Sequence, residues 1–142
     1  MFAVHLVEAA QAEESYLCIS ENITGFTQEE NGQWTRQGFQ PNKHIVSKPS
    51  DDDMLYRRYR FVVKEFGSTD ISAWCEDGFS GNGELSCTGY SEFRLNKNSL
   101  RYASASFYGY FMPPKAGGKR ADDVFVEVGK CSPFLIIKAL HR

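Results

Sequence analysis

The chain has little net charge and no long hydrophobic run. Sixteen Lys and Arg stand against eighteen Asp and Glu, a formal net charge of −2, which removes the electrostatic case for nucleic acid or an anionic membrane surface as a partner. No apolar stretch approaches the roughly eighteen residues of a spanning helix. Histidine is scarce, with His5, His44 and His141 each standing alone. The four cysteines Cys18, Cys75, Cys87 and Cys131 contain no C-x-x-C pair, so tetrahedral zinc spacing is missing. A G-x-S-x-G elbow is missing too, and Gly78-Phe79-Ser80-Gly81 fails it by spacing. Gly117-Gly118-Lys119 is too short to cradle phosphate. Nothing singles out one histidine for a Ser-His-Asp or Cys-His arrangement, and a catalytic reading would need His44 beside a carboxylate in a cleft. The paired carboxylates Glu13-Glu14, Glu29-Glu30 and Asp122-Asp123 read as solvated charge near turns and strand ends. These gaps point away from an enzyme and toward a module without metal or cofactor.

What remains is a chain of 142 residues, the size of one domain. Eleven Phe, seven Tyr and twelve Gly favour strands and tight turns over helices. The organising stretch is residues 83–110, with a strand ending at Cys87, a break at Thr88-Gly89 and a hairpin through Asn96-Lys97-Asn98-Ser99. The return arm alternates, Leu100, Tyr102, Ser104, Ser106, Tyr108 and Tyr110 falling on one face. The spacing predicts a single strand over 100–110, the longest of the domain.

The even cysteine count suits two disulfides in an oxidising compartment, with four buried free thiols in a cytosolic protein as the alternative. If Ser80-Gly81-Asn82 is a three-residue hairpin loop, Phe79 faces Gly83, Asp77 faces Leu85 and Cys75 faces Cys87, the opposition a disulfide needs. Cys18–Cys131 follows by elimination and ties the two ends of the domain. Residues 1–12 bear on the compartment. Ala10-Gln11-Ala12 has the small-x-small form of a signal-peptidase site, but a charged start is missing and the apolar run is short and interrupted by His5. The expectation is the remnant of a longer signal peptide, with an amphipathic N-terminal helix as the alternative and a single β domain over 13–142.

Further along, Tyr16 to Ser20 reads as a first strand, and Asn31-Gly32 as the turn of a hairpin. Pro49 to Asp53 reads as solvated loop, and the basic-aromatic Tyr56-Arg57-Arg58-Tyr59-Arg60-Phe61 as a strand with Arg on its wet face or stacked on Tyr. A last strand over 123–130 is expected to put Val124, Val126 and Val128 on the core face, with Pro133 ending it. Short strands at regular turn intervals predict an all-β fold, an antiparallel meander closing into a small barrel or sandwich, lipocalin-like or half-open.

The stretches Tyr16-Leu17-Cys18, Gly25-Phe26, Val63-Lys64-Glu65-Phe66-Gly67, Ala73-Trp74-Cys75, Phe93-Arg94-Leu95-Asn96-Lys97, Leu100-Arg101-Tyr102 and Val128-Gly129-Lys130-Cys131-Ser132-Pro133 resemble a group of small bacterial proteins of uncharacterised function. The resemblance implies a compact, exported domain and carries no activity and no site residues.

Two binding functions are therefore expected for a monomer that is secreted or periplasmic if the true start lies upstream and cytoplasmic otherwise. In the first, loops at one end of the barrel engage another protein, in one version a hydrolase. The candidates are Ser80, Gly81 and Asn82 with the basic Lys115, Lys119 and Arg120. In the second, the interior holds a small apolar ligand lined by Trp34, Trp74, Phe107, Tyr108 and Tyr110, unless these aromatics simply fill the core.

Overall fold

In a computed structural model of the protein, which describes residues 11–113 and 115–138, nine antiparallel strands form one sheet. The strands are β1 (Gln11–Gln28), β2 (Trp34–Gly38), β3 (Lys43–Ser47), β4 (Phe61–Glu65), β5 (Ile71–Cys75), β6 (Glu84–Gly89), β7 (Glu92–Asn96), β8 (Arg101–Ser106) and β9 (Val124–Lys138). Eight of them close a barrel in the order β1-β3-β4-β5-β6-β7-β8-β9, because β9 returns to pair with β1. β2 folds back on the far end of β1 through the Asn31-Gly32 hairpin and lies outside the closure. The expected meander is the fold, as a barrel rather than a sandwich. Residues 1–10 of the expected signal remnant or helix lie outside the described residues, and Gln11 and Ala12 already pair with β9.

The seam between β1 and β9 sets the geometry of the interior. Tyr16, Cys18 and Ser20 are buried along β1, and after a bulge at Ser20/Asn22 the buried residue is Ile23. One extra residue changes which positions face inward. Gly129 on β9 makes the bulge possible, since a Cβ there would lie 2.2 Å from the Ile19 carbonyl and 2.6 Å from the Tyr102 ring.

Both disulfides lie inside the barrel. Cys18 and Cys131 are direct partners across the seam. Cys75–Cys87 extends by one step the register that pairs Ala73 with Gly89 and Trp74 with Thr88. The tip of that hairpin differs from the expected three-residue loop. Ser80 N–H donates to the Glu84 carbonyl and Gly83 N–H to the Ser80 carbonyl, with Gly83 at φ 81°. Residues 76–79 between tip and disulfide form no ladder, which lets Phe79 turn in against Tyr16 and Phe61, at ring distances of 5.6 and 5.4 Å. With Leu85, Leu95, Val46 and Val63, these side chains fill one end of the barrel.

Several expectations are corrected. The return arm is a strand only through Ser106, and Tyr108–Phe111 is one helical turn where Gly109 passes against the Asp122 carbonyl. The longest strands are instead β1 and β9. The expected break at Thr88-Gly89 lies inside β6. Pro133 continues β9 rather than ending it. Beyond Cys131 this strand pairs with β1 alone, so a missing N–H is tolerated on the free side. Tyr56 and Tyr59 are not in a strand. The connection from β3 to β4 carries them over the outer wall, where they pack on Trp74 and Arg58 stacks on Tyr59. Asp53 is buried at the base of this flap and not solvated, accepting from Lys64 Nζ at 2.8 Å and from Ser50.

Candidate functional site

The two ends of the barrel differ in chemistry. The closed end is apolar and holds the disulfides. At the open end, the inward positions of β8 after Tyr102 are Ser104 and Ser106, and the inward position of β9 is Glu127. This corrects the orientation expected for β9. Val126 and Val128 are exposed on the outer wall, and Glu127, between them, is 1% exposed. Cys131 faces inward to meet Cys18, so a period of two forces Gly129 and Glu127 inward as well.

Glu127 anchors a small polar network. Its Oε1 accepts from His44 Nε2 at 2.8 Å and from the Tyr102 hydroxyl at 2.5 Å. Tyr102 lies opposite Gly129, and the space left by the missing side chain lets its ring reach along the wall to Glu127. His44 stands on β3 with its ring edge-on to Phe93 and Tyr102, each at 5.8 Å, and Phe93 and Tyr102 stack at 5.2 Å. These three rings form a layer between the apolar plug and the open end. Burial alone would raise the Glu127 pKa. Hydrogen bonds from His44 and Tyr102 outweigh it and hold the carboxyl below its ordinary value. The Tyr102 hydroxyl moves the other way, raised by burial and by the bond to Glu127. Glu127 is thus an anion and Tyr102 its neutral donor. Glu127 Oε2 and His44 Nδ1 meet no hydrogen-bond partner among the described residues.

Above this floor lies a cavity of about 520 Å³, lined by His44, Glu127, Asn42, Ser104 and Ser106 below and by Phe39, Phe125, Glu65, Asp122 and Asp123 toward the rim. That volume is within the usual range for small-molecule sites. The serine hydroxyls are tied to backbone, Ser104 donating to the Glu92 carbonyl and Ser106 to the Tyr90 carbonyl. The condition for a catalytic reading, His44 beside a carboxylate in a cleft, is met. However, the free Nδ1 meets no hydroxyl or thiol, and all four cysteines are in disulfides.

The residues singled out from the sequence fall elsewhere. Ser80, Gly81 and Asn82 sit at the closed end, where the Asn82 carbonyl accepts from Asn96 and Asn98 and fastens this loop to the next hairpin. Lys115, Lys119 and Arg120 are exposed on the β8–β9 connection at the open end. The two loops therefore cannot share one surface, because hairpins alternate between ends in an up-and-down barrel. The aromatic set does not line the interior. Trp34, Phe107 and Tyr110 border an apolar cleft of about 460 Å³ on the outside with Phe26, Phe111 and Val124, and Trp34 meets Tyr110 at 5.4 Å. Tyr108 packs on Phe111, and Trp74 lies under the outer flap. Tyr102 and Ser104 stand out in the sequence only as members of an alternating face, and Glu127 and Asn42 carry no motif, although the inward-facing Cys131 fixes the parity that places Glu127.

A disulfide-stapled eight-stranded barrel with a cavity at one end fits a ligand-binding or interaction module, and its disulfides fit an oxidising compartment. Among the described residues, no helix is long and apolar enough to cross a membrane. No family model, curated protein or solved structure matches the chain.

Proposed function

We propose that this protein is an exported, non-enzymatic barrel that binds a small molecule in its open end. The observation that carries the reading is the floor of the cavity, a buried anionic carboxylate fixed by His44 and Tyr102, with one oxygen that meets no donor among the described residues. A buried acceptor without a donor is costly, and a ligand group seated there would satisfy it. The ligand is polar at its inner end, which departs from the apolar molecule expected from the aromatic content. Export is supported by the two buried disulfides. The near-neutral charge gives no electrostatic support for a nucleic-acid partner.

A second reading, a protein partner such as a hydrolase docking at the same end, is favoured by the exposed Tyr110, Phe111 and Met112 beside the loop carrying Lys119 and Arg120. The two separate in one experiment. Small polar molecules are screened against isotope-labelled protein by amide chemical-shift mapping, with melting temperature measured in parallel. Binders that move His44, Ser104 and Glu127 and raise the melting temperature are expected. A screen whose binders all map to residues 107–112 would overturn the cavity reading in favour of docking.

A further inference from the structure

The charges and rings around the cavity narrow the class of molecule it holds, and this step rests on the mouth being a ligand site. We infer that the ligand is an organic cation, a protonated amine carried on an apolar body, with its ammonium against Glu127. Among the described residues, no Lys or Arg lines the cavity, whereas Glu65, Asp122, Asp123 and Glu127 all do. Asp122 is paired with Lys115 at 2.6 Å. Asp123 accepts a neutral hydroxyl, from Thr27 at 2.9 Å. Among the described residues, His44 is the only basic side chain paired with Glu127, and Oε2 has no hydrogen-bond partner. The field in the mouth is therefore negative and is concentrated by low-dielectric walls.

The occupant is larger than a bare ion. Among the described residues, no three His, Cys, Asp or Glu side chains converge closely enough to share a metal, so the carboxylates are spread around the mouth and not focused on a point. Between floor and rim stand Phe39 and Phe125, edge-to-face at 6.4 Å. Their faces suit an apolar body and attract a cation passing them. An ammonium offers three donors and no acceptor, which matches the unpartnered Oε2 of Glu127.

Three probes with one body and different heads test this: 2-phenylethylamine, 2-phenylethanol and phenylacetate, each titrated into the full chain at pH 7 and low salt and followed by amide shifts. The amine is expected to move the His44, Ser104 and Glu127 signals with an affinity at least tenfold above the other two. Glu127→Gln should remove that preference. Asp123→Asn, at the rim and away from the floor network, should weaken the amine severalfold while leaving 2-phenylethanol unchanged, and it keeps the test valid if the floor variant folds poorly. Equal binding of 2-phenylethanol or phenylacetate at the same residues would overturn the cation and leave the cavity reading standing. No shift at these residues with any of the three would count against both.

Discussion

The disulfide that joins β1 to β9 should contribute far more stability than the one in the β5–β6 hairpin, although both are buried and both join directly opposed strand positions. Cys18–Cys131 closes a loop of 113 residues and Cys75–Cys87 one of 12. In the chain-entropy account, cross-linking restricts the unfolded ensemble by an amount that grows with the logarithm of loop length, which gives about 4.8 kcal/mol for the first and about 2.8 kcal/mol for the second at 25 °C. Each double substitution to Ala removes two buried sulfur atoms, so packing losses are similar and largely cancel in the comparison. The expected result is that Cys18→Ala/Cys131→Ala is less stable than Cys75→Ala/Cys87→Ala by about 2 kcal/mol. Against a typical domain stability of roughly 5–15 kcal/mol, loss of the seam disulfide removes about a third or more of the total. Equilibrium unfolding in urea measures both variants, provided the slope with denaturant stays constant. If the hairpin variant proves the weaker of the two, the seam disulfide acts on something other than the entropy of the unfolded chain, such as local closure of the hairpin end.

Two other perturbations follow from the site. The Glu127 carboxyl titrates below its ordinary range when folded, so its contribution is present above the unfolded carboxylate value and is lost as pH falls through the lowered folded one; Asp53, where the bond from Lys64 overcomes the upward push of burial, acts in the same direction. Melting temperature should therefore drop below about pH 4, less steeply in Glu127→Gln. Tyr102 is raised, so its contribution holds below about pH 10 and fades above it, a loss absent from Tyr102→Phe. Gly129→Ala places a Cβ against the Ile19 carbonyl and the Tyr102 ring. It should cost about 1–3 kcal/mol in thermal unfolding, whereas Gly38→Ala, with open space around it, should be neutral.

Much of the fold was legible because barrels are built from local patterns. Turn residues at Asn31-Gly32 and Asn96 to Ser99, alternation through Tyr102 to Ser106, and cysteine opposition across one hairpin each report a nearest-neighbour pairing. What was not legible depended on the far strand. Alternation over 124–128 shows that Val and Glu face opposite sides but not which side is inside. Hydrophobicity pointed to Val, and only the partner of Cys131 decides the matter. The aromatic residues misled for a related reason. Phe107 to Phe111 look like a buried strand face, yet the chain leaves the sheet at Phe107, and these rings lie on the outer rim.

The inversion of β9 also links the fold to the proposed site. An eight-stranded barrel has an interior that side chains can just fill, and at one end Phe61, Phe79, Leu85, Leu95 and two disulfides do fill it. At the other end the inward positions carry Ser104, Ser106, His44 and Glu127, which are too small or too polar to close the space. Apolar residues at these positions would pack without the desolvation that a buried carboxylate incurs. The chain instead places its valines on the outer wall and surrounds one anion with a histidine, a tyrosine and a glycine that makes room for the tyrosine ring. Stability alone accounts for the plugged end. The open end, with its charged floor and unfilled volume, is the part of the barrel that stability does not explain and that the proposed ligand would.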